Sequence, residues 1–184
     1  PIDGTVNFIY GIPQYAVSVA AAVDGVLVAG AVMNVATNVV WWAATGVGSY
    51  RLDATGLRRL AASQESSLGL SLVATGFSYS SERRKAQAES LVRVIPHVRD
   101  IRRQGSAALD LCAVADGTVE AYYEQGINAW DFAAGAVIAA EAGATVVTPQ
   151  LSESGTAGCM CFAAAPQISA EFSSLMATLP EALP

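Results

Sequence analysis

Two aspartates stand in contexts that could assemble a cation site. Asp3 lies in the turn-forming run Ile-Asp-Gly-Thr, and Asp131, well over a hundred residues later, opens the small-residue run Asp-Phe-Ala-Ala-Gly-Ala. Carboxylates are hard oxygen donors of the kind Mg²⁺ takes, and metals held between them can neutralise phosphoryl charge and activate water. A short helix starting at Thr5 would offer free backbone N–H groups and the positive end of its dipole, an arrangement that holds phosphate oxygens. Small residues after Asp131 would let that helix end approach another backbone closely, as the floor of a site requires. Each segment alone is ambiguous. Asp-Gly is most often a plain turn, and Asp at a helix start most often a cap. A third carboxylate, Glu124, sits in Ala-Tyr-Tyr-Glu-Gln-Gly-Ile. An exposed strand-end glutamate is one reading of it.

Taken together, Pro1–Thr5 (Pro-Ile-Asp-Gly-Thr) and Trp130–Gly143 (Trp-Asp-Phe-Ala-Ala-Gly-Ala-Val-Ile-Ala-Ala-Glu-Ala-Gly) resemble the paired signature of the inositol monophosphatase family, the Mg²⁺-dependent, lithium-sensitive sugar phosphatases. The resemblance runs over nearly the whole chain and is loosest around residues 63–81 and 150–158. It implies a stacked αβαβα sandwich with the active site between an antiparallel-sheet half and an α/β half. Motif position by motif position, the Ile2 carbonyl and the Asp3 side chain would serve the Mg²⁺ ions together with Asp131. The Thr5 hydroxyl would orient and deprotonate the attacking water, and the Gly4 and Thr5 amides would hold phosphate. Gly105, Ser106 and Ala107 would line the sugar side, with Glu124 binding hydroxyls and Asp131 also facing substrate. Glu141 is expected at the surface or behind the ligands.

The substrate that the resemblance implies is a polyol monophosphate, myo-inositol 1-phosphate above others. Val6-Asn7-Phe8 and Glu124 favour that branch over relatives acting on histidinol phosphate, fructose bisphosphate or a 3′-phosphoadenosine nucleotide. A rival of another class is a non-catalytic phosphatase-like scaffold kept for protein binding. In the family an Asp precedes the residue matching Pro1, and a glutamate lies further upstream. The chain is therefore expected to be N-terminally incomplete, to lack turnover as residues 1–184 alone, and to pack against an N-terminal segment over residues 1–60. Family members are commonly homodimers, which makes a homodimer the expectation here.

Composition narrows the classes. The 184 residues are 53% hydrophobic and 14% charged, which excludes a disordered chain. A net charge of −6, with nine Arg and one Lys, gives no electrostatic reason to seek nucleic acid. Three Cys argue against a disulfide framework and for a reducing, cytoplasmic setting. Cys159 and Cys161 are too close for a zinc half-site and read, with Cys112, as core packing. The single His97 reads as a surface residue. The apolar stretch 15–44 is broken by Asp24-Gly25, the strongest short hairpin signal, and is not a membrane span.

The elements that must position these groups divide in two. Residues 1–66 read as a loop and short helix followed by a meander, with strands over 16–23, 26–33 and 38–44 and a turn at 53–56. Residues 67–184 alternate strand and helix. Strands are expected over 70–75, 98–102, 118–123, 145–148 and 158–165, and helices over 82–95, from Gly105-Ser106 to Gly117, 131–142 and 169–179. Phe77–Ser81 is the expected rim of the pocket. Trp41 and Trp42, adjacent in a strand, should point to opposite faces, one inward and one toward a subunit contact.

Overall fold

A computed structural model describes residues 2–180. Ile2–Asp3 (β1) leads through the short helix Thr5–Tyr10 (α1) into Ala16–Val23 (β2), which pairs back on β1. Asp24 and Gly25 both take positive φ, 50° and 79°, as a two-residue hairpin turn between right-twisted strands requires. Val26–Asn34 (β3) therefore folds back along β2, and Val39–Ala44 (β4), Gly48–Asp53 (β5) and Gly56–Arg59 (β6) extend the sheet. All six strands lie in sequence order and antiparallel.

The second sheet contains Leu72–Thr75 (β7), Asp100–Arg102 (β8), Ala121–Gln125 (β9), Thr145–Val147 (β10) and Met160–Ala164 (β11), in the order β10-β11-β9-β7-β8. Strand β7 is parallel to both β8 and β9, whereas β11 is antiparallel to β9 and β10. Helices Ala107–Ala115 (α3) and Ala129–Glu141 (α4) fill the space between the sheets. One of their faces packs Leu109, Ala134 and Ile138 on Val32 and Trp41 of the first sheet. The other packs Leu111 and Phe132 against Tyr122 and Cys161 of the second. On the far side of the second sheet, Val94 of Ser81–Val94 (α2) and Phe172 of Ser169–Met176 (α5) cover Val73 and Phe162. The described residues thus build sheet, helix pair, sheet, helix pair, four successive layers of the expected αβαβα sandwich. Among them, no helix is long and apolar enough to cross a membrane.

Several boundaries differ from the sequence expectation for local reasons. Leu68–Leu70 forms a 3₁₀ turn, closed by the Leu70 N–H donating to the Ser67 carbonyl, so β7 starts at Leu72. Thr118 donates both its N–H and its hydroxyl to the Ala113 carbonyl. That closes α3 and delays β9 to Ala121. Gly158 is left-handed (φ 72°) at the end of a 3₁₀ turn, so β11 begins at Met160. Cys159 consequently precedes the strand, half-buried and donating to Glu153, while Cys161 and Cys112 are fully buried. His97 is exposed in a 3₁₀ turn after α2.

Trp41 enters the core, and its indole N–H donates to Asp116 Oδ2 at 2.9 Å. Arg51 and Arg58 pair with the same carboxylate at 2.9 and 2.7 Å, tying the C-terminal end of α3 to the first sheet. Trp42, on the opposite face, is covered by stacking on Tyr50 with centroids 4.5 Å apart. Glu141 accepts from the Gly46 and Gly48 N–H groups at 3.0 and 2.9 Å, fastening the end of α4 to the β4–β5 turn.

Two glycines set the depth of the middle layer. A Cβ at Gly30 of β3 would lie 2.5 Å from the Ala134 carbonyl oxygen, and one at Gly135 would lie 2.6 Å from Leu111 Cβ. Helix α4 is therefore pressed between β3 and α3 at backbone contact. Gly30→Ala should destabilise the fold by about 1–3 kcal/mol, the range for overpacking a tight interior, read as a lower urea midpoint with an unchanged slope. A midpoint equal to the parent's would show that this contact relaxes freely.

Candidate active site

Asp3, Gly4, Thr5, Ser106, Glu124 and Asp131 converge on one cavity of about 330 Å³ between the two sheets. That volume is at the small end of the range for small-molecule pockets. Asp3 is delivered by β1 and Asp131 by the first turn of α4. Asp3 Oδ2 accepts from the Ser106 hydroxyl at 2.5 Å and from the Ala108 N–H at 2.9 Å. The carboxylate thus sits at the positive end of α3, where an acid is favoured. Ser106 also caps α3 by accepting from the Leu109 N–H. Its hydroxyl is therefore engaged with Asp3 and the helix, although the residue still borders the cavity.

Helix α4 starts two residues before the sequence expectation. Asn128 is its cap, and Asp131 lies in the first turn, reaching back to accept from the Asn128 N–H at 2.9 Å. Desolvation raises the carboxyl groups of Asp3 and Asp131 above the ordinary range, and the charge of Asp3 pushes Asp131 further. An acid whose ionisation is disfavoured by burial and by a neighbouring carboxylate is relieved by a cation beside it. Two carboxylates beside the Ile2 carbonyl, all bordering the cavity, make a hard donor set that fits such an ion. Among the described residues, no group of three or more His, Cys, Asp and Glu completes a cage.

Gly4, left-handed at φ 80°, caps the start of α1, whose first N–H groups have no partner within the helix. The Thr5 hydroxyl donates to the Ile2 carbonyl at 3.0 Å. Inside the same turn, the Asn7 side-chain amide donates to the carbonyls of Gln14 and Gln104, each at 2.7 Å. That places the α1 turn against Gly105, which is itself left-handed at φ 93°. Gly105 and Ala107 line the same wall, and Phe77, Ser78 and Tyr79 stand at the margin with the exposed Trp130. Ser80 and Ser81 instead belong to the start of α2.

Glu124 lies one residue before the end of β9, its Oε2 accepting from the Tyr122 hydroxyl at 3.0 Å. It passes over Gly76, where any Cβ would lie 1.9 Å from that oxygen. Glycine at 76 is what leaves room for the carboxylate.

The family model of the inositol monophosphatase family matches residues 1–178. The chain belongs to the inositol monophosphatase family. Over 173 residues it is 55% identical to the inositol-1-monophosphatase SuhB of Mycobacterium tuberculosis, covering 93% of this chain and 59% of that relative. It is 40% identical over 147 residues to a protein of Pasteurella multocida named Nus factor SuhB, covering 79% of this chain and 54% of that one. The solved structure of M. tuberculosis SuhB superposes with a TM-score of 0.91 at 51% identity, over 98% of this chain and 71% of that one. The chain thus spans somewhat more than half the length of these curated relatives.

Sequence reasoning passed over three groups at this candidate site: Asp110, Tyr122 and Gly76. Asp110 had a signal, as the sole polar residue in Ala107–Ala115. Tyr122 and Gly76 had none, because their role depends on the path of the Glu124 side chain.

Desolvation raises Glu124 from an ordinary 4.5 to about 7, outweighing the lowering by the Tyr122 hydroxyl and the Arg103 charge. Between those values the folded chain holds a proton that the unfolded chain has released, so stability falls as pH rises from about 4.5 to 7 and levels off above. The full span amounts to about 3 kcal/mol at 1.36 kcal/mol per unit. Glu124→Gln should remove that part of the slope, measured by chemical denaturation at both ends of the range. A variant with the parental slope would place the ionisation elsewhere.

Proposed function

We propose that the intact protein hydrolyses the phosphate monoester of a small polyol, myo-inositol 1-phosphate above others, using Mg²⁺. The observation that carries this reading is the meeting of Asp3 and Asp131, from motifs far apart in the sequence, in one cavity with Glu124. Bound at Asp3, Asp131 and the Ile2 carbonyl, Mg²⁺ would neutralise phosphoryl charge and make water more acidic. The N–H groups of Gly4 and Thr5 would hold the phosphate oxygens at the start of α1. Thr5, whose hydroxyl proton is turned toward Ile2, keeps its oxygen lone pairs free to accept from the attacking water and so orients it. Glu124, Gly105 and Ala107 hold the polyol, and the reaction exchanges the ester P–O bond for one to the water oxygen, releasing polyol and inorganic phosphate. Ser106 contributes by fixing Asp3.

Relatives named Nus factor SuhB favour a second reading, a phosphatase-like scaffold that acts by binding other proteins. Turnover decides between the two. Asp131→Asn keeps the shape and removes the charge that offsets a divalent cation. In the intact protein it should lower Mg²⁺-dependent turnover of myo-inositol 1-phosphate by about a hundredfold or more and weaken Mg²⁺ binding measured by calorimetry. Parental turnover in that variant would overturn the cation assignment.

We further propose a cytoplasmic homodimer. The three unpaired thiols suit a reducing compartment. Val17, Val19, Val23 and Val26 are exposed along the β2–β3 hairpin, a run of apolar surface of the kind that subunit contacts cover. Light scattering on the intact protein should give twice the monomer mass at micromolar concentration, and a monomer mass would remove the dimer.

A further inference from the structure

Asp110 is an anomaly in α3. Every other residue of that helix is apolar, and Asp110 is 1% exposed with its Oδ1 atom lacking any hydrogen-bond partner among the described residues. Leaving a buried acceptor unpaired is costly. The helix does not need this acid as a cap. Asp3 already takes the Ala108 N–H, and the Ser106 hydroxyl and carbonyl take those of Leu109 and Asp110. Nor is it one half of an ion pair. Among the described residues, the one cation whose charge reaches it is Arg103, which stands over the Phe77 ring and pairs with no carboxylate there.

What Asp110 does face is the cavity, which it borders together with Glu124. We propose that Asp110 is a specificity-determining residue, a second carboxyl that reads the polyol beside Glu124 and takes a hydroxyl next to the one Glu124 holds. The ligand class is a phosphate monoester carrying vicinal hydroxyls, so the inference rests on the polyol phosphatase reading above. The chemistry is complementary. Burial, together with the charges of Glu124 and Asp3, holds Asp110 well above the carboxylate range. A neutral carboxyl carries one donor and one acceptor, and a hydroxyl also offers one of each, so the pair can satisfy both. An aryl phosphate has no such hydroxyl to offer. A site built to hydrogen-bond a substrate group discriminates strongly against a compound lacking it, because its own polar atoms are then left unpaired.

The test compares kcat/KM for myo-inositol 1-phosphate with that for 4-nitrophenyl phosphate, in the intact protein with Mg²⁺. Asp110→Leu is nearly isosteric and cannot hydrogen-bond, so the inositol-to-aryl ratio should fall by about tenfold or more, chiefly through KM. Asp110→Asn retains a donor and an acceptor and should keep the ratio within about threefold of the parent. The thermal midpoint of Asp110→Leu should equal or exceed the parental one, since the leucine removes an unpaired buried acceptor. Asp110→Ala provides the same reading if the leucine variant does not fold. A smaller fall in ratio for the non-bonding variant, or an equal fall in Asp110→Asn, overturns the inference while leaving the phosphatase reading standing. A parent protein that turns over neither ester removes that reading, and this inference with it.

Discussion

The backbone contact between α4 and β3 at Gly30 is the constraint on which the site depends. It fixes how deep α4 sits between the sheets, and the matching contact of Gly135 with Leu111 fixes α3 against α4. Asp131 rides on the first turn of α4, while Asp3 is held by the first turn of α3. The separation of the two carboxylates is thus set by the packing of two helices and not by the loops that carry the motifs. Alanine and glycine dominate α4 for the same reason. A thicker helix would push the two sheets apart and with them the two halves of the site.

The molecule treats buried acids in two opposite ways. Asp116, at the C-terminal end of α3 where the helix dipole disfavours a negative charge, is matched by Arg51, Arg58 and the Trp41 indole. It is a structural anchor with every demand met. At the other end of the same helix, Asp3, Asp110, Glu124 and Asp131 crowd around one cavity with no ion pair among the described residues. All four are raised by desolvation. Unmatched charge of this kind disfavours folding, and its concentration in one place marks a region shaped by what enters it.

Local chemistry made the meander legible. Asp24-Gly25 specifies its turn through two positive φ angles, and the runs it joins are apolar and carry β-branched valines. The pair of motifs was legible because their residue types are unusual together and their order is fixed. The start of α4 was less so, because Asn128 and Asp131 are both residue types that cap helices, and Asp131 acts from within the first turn as the partner of Asn128. The start of β9 was hidden because Thr118 serves the preceding helix. Glu141 was read as a surface or supporting group, whereas it binds a turn 95 residues away in sequence. Asp110 looked like a helix residue among others until the second sheet placed Glu124 near it. For Glu141 and Asp110 the deciding partner lies on another element, whereas for the starts of α4 and β9 it is only three and five residues away and shifts a boundary without changing the element.

The Asn7 amide joins the Gln14 and Gln104 carbonyls, so the turn that begins α1 and the loop that begins α3 are clasped together. The jaw that would grip a phosphate and the wall that would touch a sugar ring therefore cannot separate independently. The cavity behaves as a caliper locked at one opening. On the proposed reading, a substrate would be measured by the distance from its phosphorus to its hydroxyls as much as by the groups themselves, and molecules of the right chemistry but the wrong span would be refused by geometry before any bond to them is tested.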